Sequence, residues 1–241
     1  MHAYPARIDT LSAKEAQMPN SGDDALPITS RLQDAVRLLL LIDGAAEPLP
    51  LPLREDVPAD AVAVFRTQVA LQKMDFWLRN PDYLAELLLD RFEEASDGVM
   101  LAEARSILES EEPEIRRYPM LRYRFGAYEP LDDALAVLAT SRLVVRRREG
   151  NIGHTRQHNY YLTATGRSVA REIVTDVPEL AYYVDRVGLL VRLTAGIGPT
   201  ALKDMQYEQP EYADAAWRTR IASIAPRVRQ RLAELDRTAA S

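Results

Sequence analysis

The chain has 241 residues, 47% apolar and 27% charged, enough for a substantial core in one domain or two small ones. It has no cysteine, which excludes disulfides, thiol nucleophiles and cysteine-ligated zinc, and fits a cytoplasmic protein. The net charge of −6 is unevenly spread: residues 116–172 hold eleven arginines against five acidic residues, so a +6 segment sits in a chain whose remainder carries −12. That asymmetry points to a polyanion or an acidic partner surface for the basic segment. Arginine outnumbers lysine 27 to 3, a bias typical of GC-rich coding, so arginine abundance alone is no sign of nucleic-acid binding.

Residues 1–28 are polar, with Pro19-Asn20-Ser21-Gly22-Asp23-Asp24, and read as a mobile tail. Ser30 is placed to cap a helix whose apolar face carries Leu32, Val36, Leu39, Leu40 and Ile42 and which ends at Asp43-Gly44. Pro48-Leu49-Pro50-Leu51-Pro52 opens a Pro-rich segment, 48–58, that must be extended and stiff. A long helical pattern from Ala59 to Leu78 stops before Asn80-Pro81, as the residue before a proline resists helix. A second helix runs from Pro81 to about Ala95 and a third from Val99 to Leu108. These elements make 29–115 a helical N-terminal region, and Tyr118 through Gly126 a compact link out of it.

Residues 116–175 read as a winged-helix module. Leu131, Leu135 and Leu138 recur at helical spacing. Leu143-Val144-Val145 is a short strand, Glu149-Gly150-Asn151 is turn chemistry, and Asn159-Tyr160-Tyr161-Leu162 returns as the partner strand. Thr163 or Thr165 can cap a closing helix that carries Val169 and Ile173. Residues 176–241 form a C-terminal helical region. It holds a helix through Leu193, a break at Gly196-Ile197-Gly198-Pro199, a helix over Thr200–Tyr207, and a last helix from about Tyr212 to Leu235 kinked or broken at Pro226. The expected fold is therefore mainly α with a small β-hairpin, a winged-helix module flanked by helical segments. No stretch approaches the roughly 18 apolar residues of a membrane span, and the N-terminus has no signal-type hydrophobic region.

The sharpest constellation is Arg146-Arg147-Arg148 with Arg156 and His158 across the turn. On a strand Arg146 and Arg148 face one way and Arg147 the other. Arginines there can hold phosphates through counterion release without specifying sequence; the alternative is a solvated hairpin. Asp132, Asp133, Ala134, Ala136 and Val137 occupy the recognition-helix position, where a DNA reader wants Arg, Asn, Gln or Ser. A winged helix that binds protein, or DNA only through its wing, fits better than an operator reader. Lys73, Trp77 and Arg79 lie in the densest aromatic segment, 72–84. They are candidate partner anchors because Arg and Trp dominate such contacts; the alternatives are a core helix, or a buried polar network of Lys73, Asp75 and Arg79. The three histidines, His2, His154 and His158, are too few and badly placed for a metal. No phosphate-binding loop and no triad order is present, so neither catalytic residues, nor a cofactor, nor an enzyme is expected.

Two stretches carry a family resemblance: Leu71-Gln72-Lys73-Met74-Asp75-Phe76-Trp77-Leu78-Arg79-Asn80-Pro81-Asp82-Tyr83-Leu84 and Gly198-Pro199-Thr200-Ala201-Leu202-Lys203-Asp204-Met205-Gln206-Tyr207. With Arg122-Tyr123-Arg124-Phe125-Gly126 and the winged element, the chain over 30–225 resembles the middle components of bacterial ABC three-component systems. Those are Lamassu-like anti-phage defence operons built around an SMC-like ATPase. The resemblance implies a non-enzymatic adaptor that links an SMC-like ATPase subunit, an effector subunit and double-stranded DNA, with no catalytic residues to carry over. The alternative is a free-standing, dimeric winged-helix transcription regulator.

Overall fold

The computed structural model of the chain describes residues 30–110, 112–115, 120, 122–123, 126–127, 131–151, 154–216 and 219–239. The tail expected at 1–28 and much of the 118–126 link lie outside the described residues. Helix α1 (Arg31–Ala45) starts with a reciprocal cap. Ser30 Oγ accepts from the Gln33 amide at 3.2 Å, and the Ser30 amide donates to Gln33 Oε1 at 2.7 Å. Its stretch Leu38–Ile42 is buried on all sides, so α1 forms the axis of the core and not an edge of it. The chain leaves through a two-residue strand, β1 (Glu47–Pro48), and the Pro-rich stretch follows without helix, exposing Leu51 and Leu53.

The single helix expected over Ala59–Leu78 is corrected into two elements. Ala61–Arg66 is a strand, β2, and Gln68–Arg79 is helix α2. They meet at Thr67, whose φ of 68° breaks the helical path and whose Oγ1 accepts from the Ala70 amide at 3.1 Å. Ala61-Val62-Ala63-Val64-Phe65 is apolar on both strand faces, so period alone does not separate it from a helix. The β-branched valines and the pairing of β2 with a partner strand decide for the strand.

Helices α3 (Pro81–Ala95), α4 (Gly98–Glu109) and the one-turn α5 (Glu112–Ile115) follow, then a two-stranded ribbon, β3 (Arg122–Tyr123) and β4 (Gly126–Ala127). Next come α6 (Asp132–Thr140), β5 (Val144–Asn151), β6 (His154–Thr163) and α7 (Ala164–Asp176). That is the helix, strand, strand, helix order read from the sequence. Thr163 is the cap of α7, accepting from the Gly166 amide at 2.9 Å. The C-terminal part holds α8 (Ala181–Thr194), α9 (Pro199–Tyr207), the short α10 (Pro210–Ala213) and α11 (Ala225–Ala239). The helix expected from Tyr212 to Leu235 is broken, but ahead of Pro226, between Ala213 and Ala225. Pro226 sits in the first turn of α11, where its missing N–H removes no intrahelical bond.

The main sheet is antiparallel in the order β1-β2-β6-β5. The hairpin β5–β6 thus draws its third strand from residues 61–66, and α1 packs beside α6. In chain order α1, β2, α6, β5 and β6 frame this sheet, with α2 through α5 inserted between β2 and the helix that precedes the hairpin. The structure is mainly α with this small β region. One apolar cluster runs through it from Leu38 in α1 through Phe76, Leu84 and Leu88 to Leu162, Leu190 and Val228. Phe76 is its aromatic hub, edge-on to Tyr83 at 5.0 Å and to Tyr212 at 5.3 Å.

Candidate functional site

The wing is built by alternation along β5. Arg146 lies opposite Tyr160, Arg147 opposite Asn159, and Arg148 opposite His158. Val144, Arg146 and Arg148 therefore share a face with Leu162, Tyr160 and His158, and Arg147 shares the other face with Glu149, Asn159 and Gln157. The two faces differ in charge balance. Arg146 Nη1 donates to Asp132 Oδ1 of α6 at 2.9 Å, which neutralises it. Arg147 and Arg148 are exposed and make no ion pair among the described residues. Arg156 belongs to β6 in the turn-proximal half of the hairpin, and its side chain is outside the described residues.

His158 is half-buried, and its Nδ1 has no hydrogen-bond partner among the described residues. Burial, then the charges of Arg146 and Arg148, lower its pKa below the usual histidine value, with only Asp132 opposing. The imidazole therefore stays neutral at neutral pH, and the positive charge of the wing comes from arginine alone.

On the opposite face Glu149 anchors the hairpin, a role absent from the sequence reading. Asn159 Nδ2 and Gln157 Nε2 donate to its Oε2 at 2.9 and 2.6 Å, and Arg54 Nη1 donates to its Oε1 at 2.8 Å. Those bonds, the one from Asn159 first and that from Gln157 next, hold the carboxyl below its usual pKa range against a smaller effect of burial. Arg54 stands ninety-five positions earlier in the chain, so no local pattern signals it; the Pro-rich segment brings it to the wing.

Helix α6 occupies the recognition position but offers little to a base edge. Its exposed residues are Asp132, Asp133, Ala136, Ala139 and Thr140. Asp132 holds Arg146, and Asp133 meets Arg31 at 3.4 Å. Two acids in the first turn suit the helix dipole and repel phosphate. Between α6 and β5 lies a cleft of about 420 Å³ lined by Asp132, Thr140 and Arg146 as well as by Leu135, Ala136 and Val144.

The structure places the three candidate anchors in the interior, in line with the alternative of a core helix with a buried polar network. Lys73, Trp77 and Arg79 are 4%, 3% and 5% exposed. Lys73 Nζ donates to the Tyr212 hydroxyl at 3.2 Å, and Arg79 lies 3.9 Å from Asp75 on the same helix. Asp75 in turn accepts from Arg37 Nε at 2.6 Å, and Arg37 also reaches Asp34 at 2.6 Å. Burial alone would lower the pKa of Arg37, but Asp75 and Asp34 outweigh it and raise it. The reason is the position of α2. It packs against α3, α8 and α9, so every residue from Lys73 to Arg79 is buried and even the charged ones pair inside.

Among the described residues no group of three or more His, Asp or Glu side chains is placed to hold a metal ion. No described helix is long and apolar enough to cross a membrane. No protein-family model matches the chain, and no curated protein and no solved structure matches it either.

Proposed function

We propose that the chain is a non-enzymatic adaptor of an anti-phage defence complex, joining an SMC-like ATPase to an effector and touching duplex DNA through its wing. The observation that carries the adaptor part is the state of α6. The helix a DNA reader would push into the major groove presents two ion-paired aspartates and small apolar residues beside a cleft. That surface suits a protein partner and opposes a phosphate backbone. Arg147 and Arg148, exposed and without ion pairs among the described residues, supply the DNA contact. The resemblance over 30–225 supplies the identity of the partners as ATPase and effector.

The test is affinity purification of the tagged chain from its native host, with nuclease treatment before elution. An SMC-like ATPase that co-elutes after nuclease supports the adaptor. Asp133→Arg and Ala136→Arg, both on the exposed face of α6, should abolish that co-elution and leave the chain folded. A chain that elutes as a lone dimer and protects a palindromic promoter is the regulator instead, and overturns the proposal.

A further inference from the structure

A second site lies on the far side of the insertion, between α3 and α9. A cleft of about 640 Å³ is floored by Trp77, Tyr83, Leu87 and Met205 and rimmed by Asp90, Glu93, Glu94 and Glu208. We propose that it binds an arginine side chain presented by a basic segment of a protein partner. This site stands independently of the adaptor reading.

Charge is the first support. Four carboxylates line the cleft against one guanidinium, that of Arg91, which is committed to Glu94 at 2.5 Å. Behind the rim, Arg231 is shared among Glu86 at 3.0 Å, Asp90 at 2.7 Å and Glu93 at 2.6 Å. Arg227 is shared between Glu86 at 2.5 Å and Glu211 at 2.9 Å. Four acids thus divide two arginines, and Glu208 has no ion pair among the described residues. Burial, with Glu86 and Glu93 adding to it, raises the Asp90 pKa even though Arg231 opposes the shift. One more cation would relieve that repulsion.

The second support is a polar group without a partner. Gln206 lines the cleft and is 1% exposed. Its Nε2 donates to the Lys73 carbonyl at 3.4 Å, while its Oε1 accepts no hydrogen bond among the described residues. A buried acceptor left unmade is costly, and a ligand N–H would satisfy it. Carboxylate rim and amide acceptor together match a guanidinium, which donates several N–H groups in a plane, better than a strongly hydrated ammonium. The volume accommodates an arginine with its neighbouring residues.

The experiment titrates the full chain into a fluorescein-labelled octapeptide of alternating arginine and leucine, with lysine–leucine and glutamine–leucine versions as comparisons. The arginine peptide should bind several-fold more tightly than the lysine peptide, and the glutamine peptide should not bind. The triple variant Glu93→Gln, Glu94→Gln, Glu208→Gln should bind about tenfold more weakly, each exposed charge contributing a modest share. Asp176→Asn, Glu179→Gln and Asp185→Asn, combined in the segment from the end of α7 into α8, should leave binding unchanged. Arg91→Ala, which frees Glu94, should tighten binding, a gain that misfolding cannot mimic. Equal loss from both triple variants, or no response to either the rim triple or Arg91→Ala, would overturn the proposal. So would displacement of the peptide by an equal concentration of spermine.

Discussion

Gly166→Ala should unseat the helix that closes the wing. Gly166 lies in the first turn of α7, against the start of β5. A Cβ there would stand 2.1 Å from the Leu143 carbonyl oxygen, 2.9 Å from its carbon and 3.0 Å from Leu162 Cδ1. Carbon–oxygen contacts settle at about 3.3 Å or more, so α7 and β5 must part by roughly 1 Å. The obstacle is backbone and cannot rotate away. The same Leu143 oxygen accepts from the Thr163 amide at 3.1 Å and from Thr163 Oγ1 at 3.1 Å. Losing those bonds costs about 1 kcal/mol each, and overpacking adds about 1–3 kcal/mol, giving a loss of roughly 3–5 kcal/mol. For a chain of this size that is a fall in Tm of about 6–20 °C. The assay is thermal and urea denaturation followed by circular dichroism. Gly98→Ala serves as the control, because a Cβ at the start of α4 meets nothing within 4 Å; it should be neutral or stabilise by up to about 1 kcal/mol. A Gly166→Ala protein that melts with its parent would refute the reasoning.

Trp77→Ala should destabilise the isolated chain by about 3–5 kcal/mol in urea titration, because the indole is 3% exposed within the core cluster. An unchanged midpoint would show that the ring is not core. In the wing, replacing Arg147, Arg148 and Arg156 with alanine should weaken binding to every duplex sequence alike. It should also flatten the log–log salt dependence by about 0.9 for each phosphate that is no longer neutralised. Arg146→Ala should do less, since its guanidinium is already held by Asp132; the check is fluorescence anisotropy across a salt series, and equal effects of Arg146 and Arg148 would contradict the assigned pairing.

The elements most legible in the sequence are those fixed locally. Ser30 with Gln33, Pro81 after Asn80, and Thr163 before Gly166 each mark a helix start within four residues, and each helix begins there. The hairpin is legible because helical spacing through Leu138 gives way to Leu143-Val144-Val145 and then to turn residues. What stays hidden depends on distant pairing. Strand β2 exists because Val64 and Phe65 find Tyr161 and Tyr160 almost a hundred residues later. Arg54 likewise reaches Glu149 only in the folded chain. Lys73 and Arg79 read equally as an interface or a buried network because charged residues are seldom fully buried without partners, and the partner that holds Lys73 inside, Tyr212, comes from a distant part of the chain. Pro226 reads as a kink or break because residues 214–224, which separate α10 from α11, hold no glycine or proline to mark the interruption earlier.

The charges carried inward by α2 are better explained by placement than by stability. Taking an ion out of water costs several kcal/mol, which attraction repays only in good geometry, and apolar replacements of buried pairs are often neutral or better. Yet Asp75, fully buried, must meet Arg37 of α1, and Lys73, two residues earlier, must meet Tyr212 of α10. Helix α2 belongs to an insertion, and an apolar helix in an apolar slot has several acceptable positions along its axis. A slip of one turn moves each group about 5.4 Å, strands a carboxylate in the core and leaves Lys73 without its hydroxyl. Only one register avoids both penalties. That register also seats Gln206 against the Lys73 carbonyl, at the edge of the acidic cleft. Because α1 in turn packs beside α6, the helix that precedes the wing and the helix that walls the cleft are keyed to the same two residue positions on α2.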